Sequence, residues 1–216
     1  MDKVQRLIKN SHNLYYGEIH DNFKYIPKYI IRAYIRKNPH KYFEIGFIYQ
    51  YYYENYKKMY EYYIKAMDNA NTLVHLGCYY AAIEKYEIAK DYYMQAIELG
   101  HMEAMTYLAV YYEAKVYDYN LTKKYYLYAI TLGNSEAMFY LGHYYDGKNY
   151  ELMKKYYLDA IALDNTIAMN YLARYYQYTN LNYDLMKNYY MCAIKLNYKD
   201  SIFRYKYELG QRGAAL

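Results

Sequence analysis

A block of seven residues returns along this chain at a nearly constant interval, and that recurrence limits the fold more than any other feature. Lys124-Tyr125-Tyr126-Leu127-Tyr128-Ala129-Ile130 recurs as Lys155-Tyr156-Tyr157-Leu158-Asp159-Ala160-Ile161. It returns as Asn188-Tyr189-Tyr190-Met191-Cys192-Ala193-Ile194 and as Asp91-Tyr92-Tyr93-Met94-Gln95-Ala96-Ile97. Weaker copies are Glu61-Tyr62-Tyr63-Ile64-Lys65-Ala66-Met67 and Lys28-Tyr29-Ile30-Ile31-Arg32-Ala33. The alanines Ala33, Ala66, Ala96, Ala129, Ala160 and Ala193 stand 33, 30, 33, 31 and 33 residues apart. Periods of this length mark chains built from stacked supersecondary units.

A second motif interleaves with the first. Leu141-Gly142-His143-Tyr144-Tyr145 matches Leu76-Gly77-Cys78-Tyr79-Tyr80, Leu108-Ala109-Val110-Tyr111-Tyr112 and Leu172-Ala173-Arg174-Tyr175-Tyr176, and Ile45-Gly46 begins an earlier copy. From the alanine to the next small residue is 13 residues in four cases of five, and 11 from Ala66 to Gly77. From the small residue to the next alanine is 18 to 20. One tight turn and one tolerant loop per unit are the mark of paired helices. Ala137, Leu141 and Tyr145 fall at helical spacing, as do Met153, Tyr157 and Ile161.

Punctuation residues agree with that division. Gly100, Gly133, Asp164 and Asn197 each follow the alanine by four residues. Gly, Asn and Asp enter the left-handed conformation most readily, so the second helices should end there. Asn134-Ser135-Glu136, Asn165-Thr166 and Asp200-Ser201 supply N-caps for the next first helices, and Asn149 and Asn182 for the second helices. Glu151 and Asp184 then suit the first turn, and Pro27 stands at a helix start. Gly46, Gly77 and Gly142 alternate with Ala109 and Ala173 at one register. Alanine would not serve if positive φ were needed, so smallness is the requirement. The recurrent alanine of the second helix is the expected counterpart.

The predicted fold class is all-α: a right-handed superhelical solenoid of stacked antiparallel helix pairs. A single pair of short helices is marginal alone, so three or more units must stack. Four clear units span about 71–197 and a degenerate one 37–70. Residues 24–36 read as the second helix of a still earlier unit, with 3–16 as its partner. A last first helix begins at 198–209, where Lys206 replaces the small residue, as suits an end facing solvent. As domains, residues 1–36 are degenerate N-terminal capping helices, 37–209 the repeat array and 210–216 a disordered tail.

The pattern Ala-Met-x-x-Leu-Gly-x-Tyr-Tyr, then Lys-x-Tyr-Tyr-x-x-Ala-Ile-x-Leu-Gly, resembles the Sel-one-like repeat, a relative of the tetratricopeptide repeat. Residues 101–133 and 134–164 carry it best. The Tyr-rich, Lys-rich form is similar to arrays encoded by large DNA viruses, although an AT-rich genome favours the same residues. Two departures stand out. The usual Gly-x-Gly-Val loop is reduced to Asp146-Gly147-Lys148, and the period is nearer the tetratricopeptide length. The resemblance implies scaffolding or adaptor roles and names no partner.

Function follows from the first helices, which line the concave face of such a stack. Side chains three and two before the small residue, and one after it, are expected to face the groove. These are Phe43, Glu44 and Phe47; Val74, His75 and Cys78; Thr106, Tyr107 and Val110; Phe139, Tyr140 and His143; Asn170, Tyr171 and Arg174. The lining is aromatic and weakly charged, which suits a peptide or an amphipathic helix. The expected function is a protein–protein interaction scaffold or adaptor with a protein or peptide partner. The alternative is a single-stranded nucleic-acid binder, motivated by a net charge of +5 and the Lys-Tyr-Tyr runs.

Other chemistry finds little support. His75 and Cys78 share a helix face and could offer two metal ligands, but no third and fourth follow at metal-site spacing. His101 lies in a turn, and His12, His20 and His40 in the degenerate start. No nucleophile–base arrangement or glycine-rich phosphate loop can be placed, so neither enzyme activity nor a cofactor is expected. The 43 tyrosines are broken everywhere by charged or amide residues, so no membrane span is expected. No apolar leader core follows Met1. Cys78 and Cys192 read as buried or half-buried thiols in a reducing compartment. A cytoplasmic monomer is the expectation.

Overall fold

The computed structural model describes residues 3–10, 23–196, 201–202 and 204–207. These residues are all-helical, with no strand among them. The expectations for Asn197, Asp200 and the tail 210–216 lie outside the described residues. The chain divides into two compact units, Met1–Ala104 and Met105–Leu216.

The first unit holds α1 (Lys3–Asn10), α2 (Lys28–Lys37), α3 (Tyr42–Tyr51), α4 (Tyr56–Tyr63), α5 (Ala70–Ala82) and α6 (Tyr86–Glu98). Val4 and Ile8 of α1 are buried with Ile31 and Tyr34 of α2 and Phe47, Ile48 and Tyr51 of α3. The N-terminal helices therefore share a core with the first complete hairpin. Helices α3 and α4 pair, as do α5 and α6. The short connection before Gly77 has a local cause: α4 ends in a tight turn over Ile64–Ala66, and the Asn69 amide bonds the Ala66 carbonyl at 3.0 Å.

Helix α7 (Glu103–Tyr111) begins at the end of the first unit and runs on through a wider π turn, Tyr112–Val116. The second unit continues with α8 (Tyr119–Thr131), α9 (Ser135–Tyr145), α10 (Tyr150–Ile161), α11 (Thr166–Tyr178) and α12 (Tyr183–Lys195). Helices α9 and α10 pair, as do α11 and α12. Residues 201–202 and 204–207 are helical too, and Lys206 is exposed.

Helix ends fall where the punctuation residues stand. Gly100, Gly133 and Asp164 have φ of 81°, 80° and 58°. The amide after each bonds back to the recurrent alanine: His101 to Ala96, Asn134 to Ala129 and Asn165 to Ala160, at 2.9, 3.1 and 3.1 Å. The amides of Gly100, Gly133 and Asp164 reach Ile97, Ile130 and Ile161, completing a Schellman turn. Asn134, Asn149, Asn165 and Asn182 each accept the amide three residues on, at 2.9 to 3.1 Å. Each such cap contributes roughly 1 kcal/mol. Left-handed residues also mark the other turn of every unit: Glu54, Glu84, Tyr117, Gly147 and Leu181.

The small residues are required for packing. Gly46, Gly77 and Gly142 have no positive φ, and a Cβ at each would lie 2.4, 2.4 and 2.6 Å from the ring of Tyr63, Tyr93 and Tyr157. This corrects one expectation. The counterpart of the small residue is not the recurrent alanine but the tyrosine one turn before it. The alanine serves the next hairpin instead. Ala96 clusters with Leu73, Val74 and Ala104, and Ala160 with Ala168 and Leu172, so it admits the following first helix.

The two tyrosines of each recurring pair have separate duties. At the three glycines the second is the ring laid over the small residue, and Tyr63, Tyr93, Tyr126, Tyr157 and Tyr190 are all buried. The first stacks on a tyrosine of its own first helix. The pairs are Tyr62–Tyr49, Tyr92–Tyr80, Tyr125–Tyr112, Tyr156–Tyr145 and Tyr189–Tyr176, with centroids 5.5 to 5.9 Å apart and planes within 16°. Offset pairs of this kind contribute about 0.5–1.5 kcal/mol each beyond area burial.

Candidate partner-binding face

Burial sorts the fifteen sequence-selected positions into three rows. The row three before the small residue corrects the sequence reading. Val74, Thr106, Phe139 and Asn170 are core residues, and only Phe43, nearest the N-terminus, is half-buried. On a helix this position lies only about 60° round from the small residue, so it falls under the same second helix. Phe139 stacks on Tyr157 at 5.8 Å, and Asn170 accepts the Ser201 hydroxyl at 3.3 Å.

The other two rows reach solvent, with one exception. Phe47 is 1% exposed and packs on Phe23 and Tyr51, so it is core and not groove. In the first unit Glu44 is half-buried and accepts the Tyr34 hydroxyl, with Lys41 at 3.2 Å. His75 sits among Phe43, Phe47, Tyr51 and Tyr63, with centroids 5.2 to 6.2 Å away. Its Nδ1 lies 3.2 Å from the Tyr51 hydroxyl. The Tyr93 hydroxyl donates to Cys78 Sγ at 3.6 Å, and burial pushes the thiol up to about 11. His75 and Cys78 thus have separate partners. No three His, Cys, Asp or Glu side chains gather as a metal site would among the described residues. Cys192 is exposed, against expectation.

The second unit presents the more open face. Tyr107 is 36% exposed, Val110, Tyr140, Tyr171 and Arg174 are half-buried, and His143 is exposed. They come from successive first helices α7, α9 and α11, and α9 and α11 touch directly. The His143 and Tyr171 rings lie 5.5 Å apart, and Phe139 packs edge-on to Tyr171 at 5.0 Å. Arg174 lies over the Tyr171 ring at 5.2 Å. Tyr140 stacks on Tyr126 at 6.0 Å. Burial, then the charge of Glu136, raises the Tyr140 pKa.

Within the hairpins of both units are hydroxyl contacts that the sequence reading missed. Tyr63, Tyr126 and Tyr190 donate to Gln50, Glu113 and Gln177 at 2.7, 3.0 and 2.8 Å. Each acceptor stands four residues past the small residue, on the next helix turn. Ala81 and Asp146 hold that place in the other two hairpins. Tyr93 turns to Cys78 instead, and the Tyr157 hydroxyl is buried without a partner. The constant spacing of 13 residues between acceptor and tyrosine was the available signal.

Helix hairpins repeated along the chain, with an aromatic and weakly charged face on their first helices, define an α/α repeat protein. Comparison with solved structures narrows this to the Sel1-like repeat fold. The chain is similar to a Sel1 repeat protein from Oxalobacter formigenes at 18% identity and a TM-score of 0.58, covering 90% of this chain and 89% of that one. Immunity protein Pa5087 from Pseudomonas aeruginosa matches at 18% identity and 0.56, covering 90% and 82%. A protective antigen of uropathogenic Escherichia coli with the SLR fold matches at 18% and 0.55, covering 92% of this chain and 46% of the antigen. No protein-family profile matches the sequence, and no curated protein matches it. No described helix is long and apolar enough to cross a membrane.

Proposed function

We propose that the protein is an interaction scaffold that holds a peptide or helix of a partner protein against the first helices of its second unit. The observation that carries this reading is the partly open set of Tyr107, Val110, Tyr140, His143, Tyr171 and Arg174 on α7, α9 and α11. Tyrosine offers large contact area and a hydroxyl for the loss of few rotamers, as in other protein-recognition surfaces. The solved relatives support the same class, since they include a Sel1 repeat protein and an immunity protein.

The nucleic-acid alternative is weakened at one of its two motivating features, the Lys-Tyr-Tyr runs. Bases would need the faces of the Lys-Tyr-Tyr rings, but one ring of each pair is buried and the other is stacked on a first-helix tyrosine. The two free thiols support a reducing compartment, which we take to be the cytoplasm. The Tyr-, Asn-, Ile- and Lys-rich composition supports an AT-rich source such as a large DNA virus.

The test is affinity capture from the native host with wild type and the Tyr107→Ala, Tyr140→Ala double variant, both checked for unchanged helicity. The proposal expects a set of proteins recovered with wild type and lost with the variant. Equal recovery would count against the face.

A further inference from the structure

Two polar groups near one end of the candidate face are buried and unanswered. The Tyr157 hydroxyl and the Arg174 Nε are both shielded from solvent and have no hydrogen-bond partner in the structure. Tyr157 is 1% exposed. Leaving such groups buried and unpaired costs stability, so groups like these call for an acceptor. They belong together. Tyr157 and Tyr171 have ring centroids 6.4 Å apart, and the Arg174 guanidinium lies over the Tyr171 ring at 5.2 Å. The charge of Arg174 also lowers the pKa that burial raises at Tyr157, which puts the cation within electrostatic reach of that hydroxyl. No Asp or Glu pairs with Arg174 among the described residues.

In the neighbouring hairpins a Gln or Glu side chain takes the tyrosine hydroxyl. Here Asp146 stands at that register, one methylene shorter than the Glu113 that bonds Tyr126, and its side chain makes no such bond. The unit thus leaves the Tyr157 hydroxyl without an acceptor, near a guanidinium whose Nε is unpaired and the exposed imidazole of His143.

We propose that this place takes an acidic side chain, Asp or Glu, of the docked peptide, with the guanidinium of Arg174 and the hydroxyl of Tyr157 as its donors. The inference rests on the docking reading above and gives it a chemical preference. One guanidinium and one hydroxyl suit a single carboxylate set among apolar neighbours, since the Phe139 and Tyr171 rings lie 5.8 and 6.4 Å from that of Tyr157. Asp146 is the only nearby acid acting on the Tyr157 hydroxyl among the described residues, and its charge opposes an incoming carboxylate.

The experiment selects binders to the full chain from a random dodecapeptide library, then compares each with its Asp→Asn or Glu→Gln counterpart. Wild type should select peptides that carry one acid among aromatic or aliphatic residues. Neutralising that acid should weaken binding about tenfold, as should Arg174→Gln in the protein, the usual loss when a charge-assisted hydrogen bond is broken. Tyr157→Phe should weaken acidic peptides more than their amide counterparts. Asp146→Asn should tighten the acidic peptides. Helicity and thermal midpoint are read for every variant. Selected peptides that bind equally well as amides, or equally well to Arg174→Gln, overturn the inference and leave the docking face intact. A library that yields no binder, or a chain that binds only a second copy of itself, overturns the docking reading as well.

Discussion

The hydroxyl of Tyr190 donates to Gln177 Oε1 at 2.8 Å, from a buried ring that shares one core cluster with Ala173 of the first helix. The same bond joins Tyr63 to Gln50 and Tyr126 to Glu113. A large ring fits between two helices only where the facing residue is Gly or Ala, and its polar end must then find an acceptor one turn on. Three hairpins meet both demands, while Tyr93 turns to Cys78 and the Tyr157 hydroxyl is left without a partner.

Removing the hydroxyls should separate the hairpins by their acceptors. Tyr63→Phe and Tyr190→Phe should each cost about 1 kcal/mol, and Tyr126→Phe about 1.5–3 kcal/mol because its acceptor is a carboxylate. Tyr157→Phe should cost nothing, or stabilise, because its hydroxyl has no partner to lose. Chemical denaturation of the four variants reads this order directly. A Tyr157→Phe loss as large as that of Tyr126→Phe would refute it.

The glycines should tolerate one methyl and no more. Gly77→Ala places a Cβ 2.4 Å from the Tyr93 ring. Ala109 and Ala173 occupy the same register in other hairpins, so the ring can shift, and the gain of about 1 kcal/mol in helix propensity offsets the strain. Gly142→Val has no such escape, since the Met153 carbonyl also lies 3.3 Å from the new Cβ. It should destabilise by about 2–3 kcal/mol through overpacking. Thermal midpoints of the two variants provide the check.

Alkaline pH should unfold the protein. Burial raises the pKa of Tyr63, Tyr126 and Tyr157 well above 10.0, and that of Tyr92 to about 12. An unfolded tyrosine ionises near 10, so above that pH the unfolded chain binds fewer protons than the folded one. The stability these groups contribute is full below pH 10 and falls as pH rises toward the folded values. Tyrosinate absorbance should therefore rise in one cooperative step together with loss of helix. Smooth ionisation of every tyrosine near pH 10 with helix retained would exclude the buried rings.

The two thiols should differ sharply in reactivity. Cys192 is exposed, whereas Cys78 is half-buried, holds the Tyr93 hydroxyl and is pushed up to about 11 from 9.0. Two units of pKa lower the thiolate fraction roughly a hundredfold. Iodoacetamide at pH 8 should modify Cys192 quickly and Cys78 only slowly, and both at equal rates in denaturant. Equal rates in the native protein would place Cys78 in solvent.

Much of this architecture was readable from local chemistry. Asn134, Asn149, Asn165 and Asn182 announced helix starts, and Gly100, Gly133 and Asp164 helix ends, because capping needs only a side chain and the few residues beside it. Rotation about the helix axis was harder. Phe47, Val74, Thr106, Phe139 and Asn170 were placed on the groove but are core, since an offset of one residue turns a side chain by about 100° and the alternating small residue does not say how wide the buried stripe is. The tyrosine acceptors were hidden by substitution at two hairpins. Ala81 cannot accept a hydrogen bond and Asp146 falls short, so Gln50, Glu113 and Gln177 did not stand out as a row.

Photo-crosslinking with a selected peptide tests the central functional claim most directly. A peptide carrying a photoreactive phenylalanine, bound to the full chain and mapped by mass spectrometry, should attach to α7, α9 and α11 at or beside Tyr107, Tyr140 and Tyr171. Attachment to the second helices α8, α10 and α12 instead, or attachment unchanged by the Tyr107→Ala, Tyr140→Ala double variant, would contradict it.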